Sequence, residues 1–405
     1  MAGADLRRAY GGRRVLVTGH TGFKGSWLVS WLAELGAEVT GLALAPPAGE
    51  PAMFTLLDLV RSCRSHEGDI RDLALLRALV RSGRPEVIFH LAAQPLVRRS
   101  YDHPLETFDV NVRGTATVLE ALRLERHAAA VVVVTSDKCY RNRNEGRAWR
   151  EDDALGGDDP YSASKAAAEL VVESYRRSFF AEERLAEHGV AIATARAGNV
   201  IGGGDWGHER LFPAVAAALA AGAPVELRAP AAIRPWQHVL DPLSGYLELG
   251  ARLGGFDLVD DGASGVDGAS ESARHAFAGA WNFGPGGERA VTVAEVVAEA
   301  ARCWTTPGAA QTTAGARAAS WRAVTALDAK REAATLRLDC RKAASRLGWQ
   351  ARLDLTAAVA LTVDWYRAFH AGAGAFELRA LTRRQIADHA TAATAPVEPS
   401  LRRAS

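Results

Sequence analysis

Short, wholly apolar runs alternate with amphipathic segments through the first half of the chain, and that rhythm predicts parallel strands joined by crossover helices. Strands are expected at Arg14–Val17, Glu38–Leu44, Glu86–Leu91, Val131–Ser136 and Val190–Arg196, with a shorter one just before Asp69. Several have no polar alternation and read as buried on both faces, as parallel strands covered by helices must be. Trp27, Leu28, Trp31, Leu32 and Leu35 recur at helical spacing, as do Leu73, Leu76, Leu79 and Val80, so each set marks a core-facing stripe. Beyond about Ile201 the pattern loosens into helix-rich pieces with Gly, Pro and Trp loops. The expected class is α/β, a doubly wound parallel sheet with a smaller, mixed α/β C-terminal lobe and a cleft between them. Residues 1–190 with about 236–256 are assigned to the sheet domain, 191–235 and 257–371 to the lobe, and 372–405 to a partly flexible extension. Within these, Asp260–Ala273 reads as a flexible surface insertion and about Ala390–Ser405 as a frayed tail.

Composition removes whole classes of function. The 405 residues are 48% hydrophobic and 23% charged, as expected of a chain that buries a large core. With 48 Lys and Arg against 47 Asp and Glu, a net +1, there is no broad basic field for nucleic acid or an anionic membrane, and any phosphate binding must be local. Cys63, Cys139, Cys303 and Cys340 lie far apart in no metal-type cluster, which reads as no metal and as reduced thiols of a cytoplasmic protein. No window approaches the ~20 apolar residues of a membrane helix, and the N-terminus has no secretion-signal pattern.

Gly19, Gly22 and Gly25 form GxxGxxG directly after the first expected strand and at the mouth of the first helix. Glycines there allow a tight turn and close backbone approach to a dinucleotide pyrophosphate held at the positive helix end; an ordinary glycine-rich turn is the alternative. The second strand runs out in Leu42-Ala43-Leu44-Ala45-Pro46-Pro47. It carries neither an acid for a ribose 2′-hydroxyl nor an arginine for a 2′-phosphate, so NAD and NADP stay undiscriminated. Asp69-Ile70 either flanks an adenine or supplies the cap of the helix near Leu73.

Tyr161 and Lys165 form YxxxK at the start of a long helix, on one face and a turn apart. An ammonium about 4 Å from the phenol at an effective dielectric near 20 is worth ~4 kcal/mol, or ~3 pKa units, enough to bring a tyrosine from ~10 toward neutrality. The phenolate then accepts a hydroxyl proton while hydride leaves the same carbon. Taken alone the pair reads as two exposed helix residues. Here His90-Leu91-Ala92-Ala93 and Thr135-Ser136 join it, both at strand ends on the carboxyl edge where such sheets bind ligands. His90 itself is expected to pack behind the cofactor, and Asn111 to act as a buried polar bridge.

Together these residues resemble the extended short-chain dehydrogenase/reductase superfamily. TGHTGFKGSWL (Thr18–Leu28), HLAAQPLVRRSY (His90–Tyr101), TSDKCY (Thr135–Tyr140), DPYSASKAAAEL (Asp159–Leu170), RAGNVIGGGDW (Arg196–Trp206) and RPWQHVLDPLSGYL (Arg234–Leu247) resemble, within it, the family of CDP-glucose 4,6-dehydratases. LDCRKAASRLGW (Leu338–Trp349) extends the resemblance through most of the chain.

The resemblance implies a Rossmann-type fold, NAD as cofactor, a nucleotide-sugar substrate (CDP-glucose), a homodimer through the helices near 105–125 and 160–180, and a redox-neutral reaction of deoxysugar synthesis. The 4-hydroxyl is oxidised, water leaves across C5 and C6, and hydride returns to C6. It assigns Tyr161 as base for the 4-hydroxyl, Ser136 as hydrogen-bond partner of that oxygen, Lys165 to the nicotinamide ribose, Asp137 as elimination acid and Lys138 as base at C5. Related dTDP-sugar dehydratases carry Asp-Glu where this chain has Asp137-Lys138, and a surface ion pair is the alternative for these two. NAD is expected against Gly19, Thr21, Gly22, Phe23, Lys24, Gly25, Asp69, Ile70, Leu91, Ala92 and Ala93, with Tyr161 and Lys165. Substrate is expected against Gln94, Arg98, Asn199, Asp205, Trp206, Arg210, Arg234 and His238. For Arg234 an ion pair locking the domains, for Asn199 a turn-stabilising role and for Trp206 plain packing stand as alternatives. Competing functions are a dehydratase or epimerase for a dTDP-, GDP- or UDP-hexose, and an inactive NAD sensor.

Overall fold

The computed structural model describes residues 3–143, 145–207, 210–256, 274–286, 291–305, 321–324 and 336–392. Its central sheet holds β1 (Arg14–Thr18), β2 (Glu38–Ala43), β3 (Arg64–Glu67), β4 (Val87–His90), β5 (Ala130–Val134), β6 (Ala191–Ala197) and β7 (Gly279–Phe283). They run in the order β3-β2-β1-β4-β5-β6-β7 with every pairing parallel. This is the doubly wound Rossmann order, and it reverses direction between β1 and β4, where such sheets open a ligand crevice at their carboxyl ends.

Both faces of the sheet are buried, which explains the apolar strands. Leu16, Leu42, Ile88, Val131 and Val133 point to one side, where they pack on α2 (Leu73–Gly83), α4 (Gly114–Glu125) and α5 (Pro160–Ser178) through Leu76, Leu79, Val118, Leu122 and Val172. A short α3 (Pro104–Phe108) leads into α4. Their neighbours Val15, Val17, Val87, Phe89 and Val132 point to the other side, onto α1 (Phe23–Glu34) and α6 (Leu240–Gly254). Trp27 and Trp31 are fully buried there, as their spacing predicts. β3 is exposed along its length, so its sequence, Arg-Ser-His-Glu, carries little apolar signal.

Beyond β6 the chain makes two further parallel pairs, Val200–Ile201 with Gln237–His238 and Val225–Leu227 with Trp321–Ala323. Two features depart from the sequence reading. β7, placed there in the lobe, extends the main sheet beside β6. In the extension assigned as partly flexible, α7 (Leu355–His370) is followed by a helix that the sequence reading does not predict, α8 (Ala375–Thr391), which buries Leu378, Thr382, Gln385, Ile386 and His389. Those positions have helical spacing, but three of the five are polar, so the stripe is hidden from a hydrophobicity reading. His389 Nε2 meets Asp241 Oδ1 of α6 at 2.9 Å, and Arg352 donates to the carbonyls of His389 and Ala390 at the helix end. Residues 260–273 and 393–405 lie outside the described residues.

Candidate active site

The glycine loop is shaped by close contact. Gly19 has φ +75°, and a Cβ there would stand 2.7 Å from the Ala92 amide nitrogen; one on Gly25 would stand 2.1 Å from the Gly19 carbonyl. Gly22 is the N-cap of α1 and supplies no side-chain cap, so the first-turn amides face the loop without an internal acceptor. Thr21 Oγ1 donates to the Leu44 carbonyl, tying the loop to the end of β2, and Leu91 and Ala92 are held to Thr18 across the switch point. This is a cradle into which a pyrophosphate fits, with a positive helix end beneath it. Ile70 is buried at its flank. Asp69 is engaged by Arg71, which lowers its carboxyl, and the helix it was a candidate to cap is capped instead by Asp72, accepting from the Leu75 amide at 3.0 Å.

The catalytic edge is built by two caps. Asp159 is the N-cap of α5, accepting from the Ser162 amide at 2.9 Å, with Pro160 in the first turn and Tyr161 next; Ser100 Oγ takes up the Tyr161 amide at 3.1 Å. After β5, Ser136 caps the single turn Asp137–Cys139, accepting from the Lys138 amide at 3.2 Å and donating to Asp137 Oδ1 at 3.1 Å. Ser136 also acts on the Tyr161 phenol, opposing the rise of its pKa. Ser136, Asp137, Tyr161 and Lys165 are all buried, and Lys138 is half-buried. Gly198 leaves room for the Asp137 carboxyl, since a Cβ there would stand 2.9 Å from Oδ2. Burial pushes the Asp137 carboxyl up, against the opposing charges of Lys138 and Lys24.

The electrostatics of Tyr161 reverse the expectation. Its phenol is pushed up to about 12, chiefly by burial, with the Ser136 hydrogen bond opposing and Asp137 adding. Lys165 is not among the leading influences on it: the ammonium donates to the Val134 carbonyl at 3.4 Å, and burial pulls its own pKa down to about 8, with Glu169 as the leading counterweight. The spacing argument counted attraction between the two groups and left out the desolvation of each.

Lys24 turns from the loop toward the same centre. Its ammonium lies 5.9 Å over the Tyr246 ring, and its pKa is pulled down to about 8 by burial, then by Lys165 and Arg210, with Asp137 and Asp205 opposing. Asn111 lies in a π-helical turn and bridges the Gln94 backbone to Ser164 of α5, while His90, between Thr18 and Thr115, is structural.

Among the expected substrate residues, two are corrected. The Gln94 amide is spent on Leu96 and Thr107 within its own loop. His238 is 0% exposed and edge-on to Trp27, held neutral by burial, so it faces the core. Trp206 is half-buried and packs on Tyr366 and Phe369 of α7. Asp205, its carboxyl pushed up by burial, lies 3.5 Å from the exposed Arg210, and both act electrostatically on Lys24. Arg98, Asn199 and Arg234 are half-buried, and Arg234 Nη1 donates to the Ile233 carbonyl at 2.9 Å. Sequence reasoning placed Thr135 at the strand end without a role and missed Tyr140, Glu169 and Arg196; the four form a buried polar group under this edge. All four stand inside the quoted motifs.

A doubly wound sheet with a glycine cradle at its switch point and a buried Ser-Tyr-Lys cluster on its carboxyl edge defines a dinucleotide-dependent enzyme acting on a hydroxyl. The chain belongs to the NAD dependent epimerase/dehydratase family, whose model matches residues 15–252, and NAD is its cofactor. It is similar to the curated CDP-glucose 4,6-dehydratase of Salmonella typhimurium, 43% identical over 386 residues that make up 95% of this chain and 98% of that one. The dTDP-glucose 4,6-dehydratase of Streptomyces antibioticus is 28% identical over 87% of this chain and 92% of its own. Among solved structures, the dTDP-glucose 4,6-dehydratase DesIV of Streptomyces venezuelae, crystallised with NAD, superimposes with a TM-score of 0.68 at 27% identity, covering 87% of this chain and 97% of that one. No described helix is long and apolar enough to cross a membrane.

Proposed function

We propose that this chain is a CDP-glucose 4,6-dehydratase, converting CDP-D-glucose to CDP-4-dehydro-6-deoxy-D-glucose and water. The observation that carries the reading is Asp137, a buried carboxyl against Ser136 and within electrostatic reach of Tyr161, whose proton affinity burial raises in the direction an acid for a departing hydroxyl needs. An epimerase expels no water and has no use for such an acid. Similarity over nearly the full length of the Salmonella relative supports CDP-glucose over other hexoses.

What NAD supplies when bound is a hydride acceptor for C4, a hydride donor for C6 and a positive ring whose charge eases the ionisation of Tyr161. Tyr161 takes the C4-hydroxyl proton, Ser136 hydrogen-bonds that oxygen, and Lys165 steadies the cofactor ribose. With C4 a ketone, the C5 proton is acidic. Lys138 removes it as the base, and Asp137 protonates the 6-hydroxyl as the C6–O bond breaks, so that one water leaves. Lys138 then returns its proton to C5. The glycine loop with Thr21, Phe23 and Lys24 holds the dinucleotide, while Arg98, Asn199, Asp205, Arg210 and Arg234 remain for the nucleotide sugar.

The test is turnover of CDP-, dTDP-, GDP- and UDP-hexoses, following the 4-keto-6-deoxy product. CDP-glucose is expected to react fastest with no net NADH; NADH accumulating in proportion to substrate defeats the dehydratase reading. The assignment extends to a homodimer, supported by Leu105 (84% exposed) and Phe108 (37%) on α3 and Leu170 (60%) on α5, an apolar face on neighbouring helices. Sedimentation is expected to find a dimer that Leu105→Glu with Leu170→Glu converts to monomer. A cytoplasmic setting fits the four free cysteines.

A further inference from the structure

We infer that the buried pair Glu169–Arg196 is the positioning device that fixes Ser136, Asp137 and Lys138 against Tyr161 and Lys165. The chemistry it serves rests on the functional reading above; its geometry does not. Tyr161, Lys165 and Glu169 follow one another at intervals of four along α5, so Glu169 continues the stripe that carries the two helix-borne groups. Its carboxylate accepts from Thr135 Oγ1 at 2.5 Å, from Thr194 Oγ1 at 2.8 Å and from Arg196 Nη2 at 2.8 Å. Thr135 is the residue directly before Ser136. Arg196 Nη1 donates to the Tyr140 hydroxyl at 2.8 Å and to the Glu151 carbonyl at 3.0 Å. Tyr140 is the residue directly after the turn Asp137–Cys139, and its hydroxyl donates to Asn282 Oδ1 of β7 at 2.7 Å while its ring stacks on Trp149. One charge pair, rooted in the catalytic helix and in β6, therefore grips both ends of the segment that bears the three strand-side groups.

Stability does not account for such a pair. Both side chains are 4% exposed, and a buried ion pair is commonly no more stabilising than apolar residues of the same volume. What a nearly saturated buried network does confer is direction, and reacting groups must be held within about 0.5 Å of their productive placement. Glu169 is also the leading group that sustains the charge of Lys165 against burial.

The experiment compares wild-type enzyme with Thr135→Val, Thr135→Ser and the double variant Glu169→Gln/Arg196→Met, measuring kcat, KM for CDP-glucose and the thermal midpoint of each. Thr135→Val is expected to lose about tenfold in kcat with KM and midpoint nearly unchanged, and Thr135→Ser, which restores the donor, to recover most of it. The double variant, which removes both charges together, is expected to lose about a hundredfold in kcat. Full kcat in Thr135→Val, or a loss that serine does not mend, overturns the inference, and this pair decides it alone because both charges stay in place. Wild-type turnover measured alongside reports on the functional reading, whereas the ratio of variant to wild type reports on the clamp.

Discussion

Two buried polar pairs flank the same sheet and accomplish different things. Glu169–Arg196, under the catalytic edge, binds two threonine hydroxyls, a tyrosine and a carbonyl besides each other. Asp241–His389, where the last helix meets the core, is 0% exposed on both sides, yet Asp241 Oδ2 and His389 Nδ1 have no hydrogen-bond partner among the described residues. Asp241 Oδ1 does take the Arg352 amide at 2.9 Å, and Trp31 stands edge-on to the imidazole. The first network leaves only Arg196 Nε without a partner among the described residues and so fixes the direction of the groups in it, whereas a sparse pair fixes only that two elements touch. Substitution near the first region should therefore register in rate, and in the second in stability.

The largest effect that sharpens this contrast is at Tyr161. Tyr161→Phe removes the proton acceptor but keeps the ring in its buried place, so kcat is expected to fall about 10³-fold with the thermal midpoint unchanged. A rate within tenfold of wild type would break the comparison at its root. Next comes Asp137→Asn, expected to lower overall turnover about 10²-fold while a single turnover still forms NADH, because only the elimination acid is gone. If the NADH transient disappears with it, Asp137 belongs to the oxidation instead.

Across the sheet the same logic inverts. Asp241→Ala leaves the buried His389 side chain without its partner, and the expected cost is about 2 kcal/mol in denaturant unfolding with kcat of the folded enzyme within twofold. Asp241→Leu/His389→Leu, which removes both polar groups, should recover most of that loss. A rate defect in the folded single variant would mean that the C-terminal helix reaches the chemistry.

This division also explains what could be read from the chain. β1, β2 and β4 to β6 are legible because strands covered on both faces must be apolar throughout, and Ser136, Tyr161 and Lys165 because a strand end and a helix start locate them. Gln94 and His238 were misassigned for the converse reason: a motif tells which loop or strand a residue belongs to but not which way its side chain turns. The run Gly202-Gly203-Gly204 carries no local explanation at all. A Cβ on Gly203 would stand 2.0 Å from the Trp365 ring, and its carbonyl takes the Trp27 indole at 2.9 Å, so its cause lies in side chains far along the sequence. Tyr161 was found, but its proton affinity was not, because burial rather than spacing sets it.

The smallest predicted effect tests that last point through Lys165. Burial pulls its pKa down to about 8 from an ordinary 10.5, so the ammonium persists below that value and is lost as pH rises through it. If Lys165 serves as a cation, kcat/KM should acquire an alkaline limb that falls about tenfold per unit above about 8. Lys24 also has a pKa of about 8 and faces the same centre, so the limb alone does not name its owner. Lys165→Arg separates them, because a guanidinium stays charged throughout the range: the rate drops for want of the right shape, but the alkaline limb should vanish. A limb that persists near 8 in Lys165→Arg transfers the titration to Lys24, and the charge that matters at the catalytic edge would then come from the glycine loop rather than from α5.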